Sequence, residues 1–443
     1  MAVRDDPIET AEPAEPAGPP LDGRLTQLPV LSWVLFDFAT TIFSYVVLTR
    51  YFNEWIVIEQ GQPDFVIGLM SATVALALIV ALPSLGVLSD RMGRHKPLLI
   101  LFTLIAIGGT ALLGLVDGVL VALVVVGVAI FAFNSAEAQY HPLLASVAPP
   151  ERQSRVSGVA VATGYVGTIV ALVLLGQLVA GGTNQRAFLP TAGLYLLFAL
   201  PCLLFVRDHR RARAPGPGDA GGSLAGIPIR ALRQLAASVR SAAGRPHGRF
   251  LLARFFYVDA IATVIGFMTV YARRTGDFES RELDLLLALS TAFAIVGALG
   301  AGLLAGRIGP KRVLLATLAM VTVALVAAGA SGSSALLWIV GPAVGVALGS
   351  VSASDRVLLM RLVPPERRGE DFGLYGLVDK VATGFGPLLL WGGTIALLAD
   401  VLAVASTFGA SRVAVCVLAA SAFAGLLILR RVPEGTSPAA TPP

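Results

Sequence analysis

The stretch Gly86-Val87-Leu88-Ser89-Asp90-Arg91-Met92-Gly93-Arg94-His95-Lys96 stands between two apolar runs, 65–88 and 97–116. A helix of about 20 apolar residues crosses a ~30 Å hydrocarbon core, and both runs reach that length. A short basic turn between two such runs reads as the loop joining adjacent membrane-spanning helices. Ten further runs lie outward from this pair, at 30–52, 119–145, 156–180, 187–206, 250–272, 283–305, 311–330, 335–361, 372–398 and 408–430. Hydrophobic residues make up 56% of the 443-residue chain and charged ones 14%, with mean hydropathy +0.78. Soluble domains hold about 25% charged residues, so a water-soluble globule is excluded. An outer-membrane barrel is excluded because its strands are short and alternating. The fold class is all-α, with twelve transmembrane spans.

Charge sets the expected orientation. If the N-terminus is inside, the inner loops and tails carry 25 Arg and Lys and the outer loops five, namely Arg186, Arg273, Arg274, Arg281 and Arg412. By the positive-inside rule both termini are expected in the cytoplasm. The net charge of +5 thus reflects topology, and its scatter over six segments speaks against nucleic acid as a partner. Residues 1–28 are Pro-, Ala- and Glu-rich and lack the basic start and cleavage site of a secretory signal, so a disordered cytoplasmic tail is expected there. A six-span bundle over 29–206, a cytoplasmic linker over 207–249, a second bundle over 250–431 and a tail over 432–443 complete the expected organisation. Within the linker, Ile229, Leu232, Leu235, Ala236 and Val239 share one helical side, with Arg230, Arg233 and Arg240 about 100° round. That pattern suits a helix on the inner membrane surface or a solvated linker helix. Cys202 and Cys416 fall near opposite membrane faces and cannot pair; each reads as a small buried apolar residue.

The two halves repeat. Ala148-Pro149-Pro150-Glu151-Arg152 matches Val363-Pro364-Pro365-Glu366-Arg367 at an offset of 215, and Asp90–Lys96 matches Gly306–Arg312 at 216. Leu35-Phe36-Asp37 matches Tyr257-Val258-Asp259 at 222. Three matches in order at nearly one offset indicate a duplicated six-helix unit. Parallel repeats with a site at their interface are the architecture of alternating-access transporters.

The stretch Gly86–Lys96 resembles the loop 2–3 signature of the major facilitator superfamily, G-x-x-x-D-R-x-G-R-[RK]-x. The resemblance implies a gate built on Asp90, Arg91, Gly93 and Arg94. In it the Asp90 carboxylate faces the N-terminal end of span 11, near Phe372, where the helix dipole favours an anion. The second copy carries Gly306 in place of the Asp, which implies a weaker latch there. A narrower resemblance links the chain to the autophagy-related vacuolar amino-acid effluxer family and its bacterial relatives. It rests on Trp33–Ala39, Arg155–Gly158 with Gly164–Gly167, Phe250–Asp259, and Phe372–Tyr375 with Lys380 and Gly386-Pro387. This implies export, with amino acids as one substrate class. The chain departs from the family with Glu137, Gln139 and His141-Pro142 at the end of span 4, and with Asp355 and Asp379 beside Arg356 and Lys380.

Ionisable residues within the membrane are costly unless paired or wet, and so mark function. They are Asp37 (span 1), Glu137 (span 4), Asp259 (span 7), Asp355 and Arg356 (span 10), and Asp379 and Lys380 (span 11). Spans 1, 4, 7 and 10 line the central cavity of the superfamily that the chain resembles. Asp37 lies eight residues beyond Pro29, about 12 Å up its helix. A carboxyl in a partly dry cavity can take up and release a proton, so Asp37, Asp259 and Glu137 are the expected proton carriers. Arg356 is the expected holder of a substrate carboxylate or phosphate, with Asp355, Phe36 and Tyr257 as further substrate contacts. Asp379 and Lys380 are expected to belong to an ion-pair network that ties helices together. Arg50, near the outer end of span 1, reads as a snorkelling side chain. Gly158, Gly164 and Gly167 in span 5 read as points of close helix approach.

No catalytic motif is present. No Lys precedes Ser or Thr in a phosphate-binding loop, and no His begins H-E-x-x-H, so no enzyme, metal or cofactor is expected. The expected function is secondary active transport at the inner membrane by a monomer. Proton-coupled export of a small organic molecule, amino acids among the options, is the first reading. Proton-coupled efflux of drugs or hydrophobic metabolites is the alternative, and a non-transporting receptor or scaffold is the rival of another class. The lipid bilayer, protons and a small-molecule substrate are the expected partners.

Overall fold

A computed structural model describes residues 24, 26–180, 182–208, 227–275, 278–363 and 368–434. Most of the tail expected over 1–28, the linker start at 209–226 and the chain from 435 onward lie outside them. Twelve helices are long and apolar enough to span a membrane, and each coincides with one of the expected runs. They are Leu28–Glu59, Asp64–Ser89, Lys96–Leu113, Val119–Val147, Arg155–Val179, Asn184–Phe205, Pro246–Arg274, Ser280–Ile308, Pro310–Ser331, Ser334–Leu362, Asp371–Val401 and Thr407–Arg430, spans 1 to 12. An even number of spans puts both ends of the chain on one side, called here the termini side; the other is the far side.

The helix ends follow from local chemistry. Pro29, Pro97, Pro246 and Pro310 occupy first-turn positions, where a missing N–H costs nothing. Span 3 is capped by Asp208 from the end of span 6, which accepts from the N–H groups of His95 (2.5 Å) and Lys96 (2.7 Å). Glu279 and Glu282 form a capping box on span 8. The turn after span 2 reverses at Gly93 (φ +62°) and the matching turn after span 8 at Gly309 (φ +90°), a left-handed backbone that favours glycine. The internal repeat thus keeps a positive-φ glycine at the matching position of both halves.

The interior is an apolar core, and the outer surface is apolar as well. Large apolar side chains cover the outer surface, with Leu120 76% and Leu303 75% exposed, where hydrocarbon is the solvent. Inside, aromatic contacts join spans 1 and 4. Trp33 stacks on Tyr140 at 4.7 Å, and the Tyr140 hydroxyl donates to the Trp33 carbonyl at 2.8 Å. Spans 8 and 10 approach more closely than any side chain would allow. Gly345 and Gly349, one turn apart, lie against the carbonyls of Ser290 and Ala294, and a Cβ at either would collide with them. Gly164 and Gly167 bring span 5 against Asp37, Phe38 and Thr41 of span 1, whereas Gly158 faces open space. Spans 1 and 11 change to wide π-helical turns on the far side of their midpoints, at Ser44–Arg50 and Gly386–Gly393. In span 11 the wide turn contains Pro387, which cannot donate to a regular ladder. A further helix, Ile227–Ala242, precedes span 7, buries Ser238 and Ala242, and leaves Ile229 and Val239 exposed.

Candidate functional site

A cavity of about 560 Å³ lies between the two six-helix bundles, lined by spans 1, 2, 4, 7, 10 and 11. Its charges are divided by bundle. The first bundle presents Asp37 and Glu137; the second presents Arg254, Asp355, Arg356, Asp379 and Lys380. Asp37 lies nine residues from the start of span 1, about 14 Å from the termini-side end of that helix. Among the described residues neither Asp37 nor Arg356 forms a salt bridge, and Arg356 is exposed to the cavity. Lys380 reaches across to Glu137 at 3.9 Å and lies 3.7 Å from its neighbour Asp379. Asn134, Thr40, Ser44, Asn53 and Thr383 add neutral polar groups to the lining.

A buried cluster closes one wall. The Arg254 guanidinium lies 3.7 Å from the centre of the Tyr375 ring. Its Nη2 is 3.3 Å from Asp379 Oδ1, and its Nε is 3.2 Å from Asp355 Oδ2, within ion-pair range but off line for a hydrogen bond. The Tyr375 hydroxyl donates to Asp355 Oδ1 at 2.8 Å. Asp355, buried completely, therefore pairs with Arg254 of span 7.

Three expected site residues stand elsewhere. Phe36 is buried against Tyr140, with ring centres 4.6 Å apart, and does not line the cavity. Tyr257 is buried in the second bundle against Gly425 of span 12. Asp259 is only 3% exposed and faces Gly386 and Thr263 in the contact between spans 7 and 11. The physical reason is rotation: one residue along a helix turns the side chain by about 100°, so Val258 lines the cavity and Asp259 does not. The loop after span 2 sits at the termini side, with Arg94 exposed and Gly93 at its turn. The Asp90 side chain lies outside what the structure describes.

Arg50 is not a snorkelling residue. It is 1% exposed, pairs with Glu54, and donates from Nε to Asp284 of span 8 at 2.7 Å. It belongs to a far-side network that crosses between the bundles. Glu54 also receives Arg273 of span 7 at 2.8 Å. Asp64 of span 2 receives Arg274 of span 7 at 2.5 Å and the Trp391 indole of span 11 at 2.7 Å. Three cations and three anions, of which Arg50, Glu54 and Asp64 are buried and the others partly so, close the far mouth. Asp284→Asn with Glu54→Gln is expected to loosen this seal. In proteoliposomes of known orientation without Cys202 and Cys416, a cysteine at cavity residue Ser44 should then react severalfold faster with a thiol reagent applied from the far side. An unchanged rate would show that the network does not hold the mouth.

This architecture, two six-helix bundles around a charged central cavity, is that of a secondary transporter. The family model of the major facilitator superfamily matches residues 30–387, and the chain belongs to that superfamily. An uncharacterized MFS-type transporter of Bacillus subtilis, YxiO, is 28% identical over 429 residues, covering 92% of this chain and 95% of the relative. Autophagy-related protein 22-1 of Neosartorya fischeri is 24% identical over 291 residues, 58% of this chain and 46% of the fungal protein. Among solved structures, nucleoside transporter NupG superposes with a TM-score of 0.68 at 12% identity, covering 91% of this chain and 98% of that one. A bacterial homologue of the human lysosomal transporter Spinster, inward-facing and unoccupied, gives 0.66 at 17% identity, with 93% and 98% covered. At these identities the structural likeness shows the fold. The chain is thus a multi-pass membrane protein that carries small molecules across a bilayer.

Proposed function

We propose that the protein is a proton-coupled exporter of a small organic molecule bearing an acidic group, working as a monomer in the bacterial inner membrane with both termini in the cytoplasm. One observation carries this reading: the cavity sets the carboxyl of Asp37 on one bundle against the guanidinium of Arg356 on the other, which forms no salt bridge among the described residues. Arg356 offers a planar fork of donors that suits a carboxylate or phosphate. Asp37 and Glu137 offer the opposite sign to an amine on the same molecule, so free amino acids fit the pattern. The Lys380–Glu137 pair is loose at 3.9 Å and can be displaced by such a substrate. Without bound substrate, a protonated Asp37 lets the bundles close over a less charged cavity, which ties the return step to a proton.

A ligand panel read as thermal shifts on purified protein tests the substrate half of the proposal. Compounds that stabilise the wild type are expected to carry a carboxylate or phosphate, and Arg356→Gln should remove the shift while leaving the unliganded midpoint close to wild type. Ligands that still stabilise the Arg356→Gln variant fully would overturn the assignment. The orientation has its own test. In a Cys202→Ser, Cys416→Ser background, a cysteine at Ser223 should be protected from an impermeant thiol reagent in intact cells and one at Ser280 labelled; the reverse pattern rejects it.

A further inference from the structure

A second hollow lies outside the charged cavity. It is an apolar groove of about 490 Å³ between span 2 and span 4, walled by residues within 66–77 and 120–131. Both segments belong to the far-side halves of their helices. Gly127 lines the groove floor. A Cβ there would meet Val74 at 3.5 Å and Met70 at 3.8 Å, ordinary contact distances, so a side chain can be added at this position without striking backbone. Its rim is open to the bilayer, with Leu69, Leu120 and Val124 exposed. Thr73 is the one hydroxyl within it, and that group already donates to the Leu69 carbonyl at 2.8 Å. The groove therefore offers no free donor to a polar ligand.

Its length and depth define the occupant. Residues 66 to 77 span about 16 Å of helix, and one leaflet of a ~30 Å hydrocarbon core is about 15 Å thick. The groove begins near the far-side end of span 2 and stops near the bilayer midplane. We infer that the groove between spans 2 and 4 is a binding site for one acyl chain of a far-leaflet phospholipid. Met70 and Val74 line both this groove and the central cavity, so a single layer of side chains separates lipid from the transport space. The bound chain backs that layer. Met70, an unbranched and adaptable side chain, is the point where lipid bears on the shape of the cavity.

The inference is independent of the substrate and of the coupling ion. The test uses the full chain in vesicles of phosphatidylethanolamine and phosphatidylglycerol that contain a phosphatidylethanolamine with a diazirine at the end of one acyl chain. After illumination, adducts mapped by peptide mass spectrometry should concentrate on 66–77 and 120–131. Gly127→Leu, which fills the groove from within, should lower those adducts severalfold. Val124→Trp on the rim should do the same should the leucine variant fold poorly. Leu303→Trp, on the lipid-facing side of span 8, should leave them unchanged. Adducts spread evenly over the lipid-facing surface, or equal in wild type and in both groove variants, would overturn the site.

Discussion

Asp37→Asn is expected to abolish uphill transport driven by a pH gradient, while downhill exchange of substrate persists. The substitution keeps the size and most hydrogen bonding of the side chain and removes its titration. Asp37 lines the cavity, lies beside Thr41 and Gly164, and forms no salt bridge among the described residues. The proposed coupling requires that a carboxyl in that position change its proton affinity as the cavity opens and closes. Asp259→Asn should have a smaller effect, because that residue faces the packing between spans 7 and 11. Uptake into proteoliposomes under an imposed gradient measures both. Survival of uphill transport in the two single variants and in the double variant would falsify the assignment and make Glu137 the next residue to test.

The second large effect concerns Arg254. Arg254→Met should lower stability by about 3–5 kcal/mol, the cost of leaving a buried carboxylate without its cation. Asp355 is buried completely and depends on Arg254 and the Tyr375 hydroxyl. Thermal unfolding in detergent should show a marked drop for the single variant. Arg254→Met combined with Asp355→Leu should recover much of it, since no unpaired charge then remains. A single variant as stable as wild type, or a double variant no better than the single, would show that the pair is not what supports that wall.

Most of the fold was legible because apolar length is a local property. A run of about 20 apolar residues can be recognised without knowing its neighbours. Charges within such runs were legible for the same reason, and Asp37, Glu137, Arg356 and Lys380 all line one cavity. Which charges pair across the fold was not legible. Arg254, close to the start of its run, was not singled out, and Arg50 read as a side chain reaching for water. Hydropathy cannot tell a cation that leans toward the surface from one that leans toward another bundle. One partner of Arg50, Glu54, lies four residues on, but the other, Asp284, is 234 residues away, and nothing in local sequence announces it. The pairing of Asp64 with Arg274, 210 residues away, was hidden in the same way. Phe36, Tyr257 and Asp259 illustrate a different limit. Sequence gave their helices, but the face each presents depends on how the helix is turned within its bundle.

The contact between spans 8 and 10 has a consequence for how this protein can vary. At Gly345 and Gly349 even a methyl group would strike the opposing backbone. A saturation library should therefore show these two positions rejecting alanine as firmly as leucine, an all-or-none profile unlike the graded tolerance of a side-chain core. Two helices fused so tightly move as one strut. The bending that a working cycle demands must then fall on other parts of the second bundle. Variation among descendants of this sequence should stay scarce along the strut.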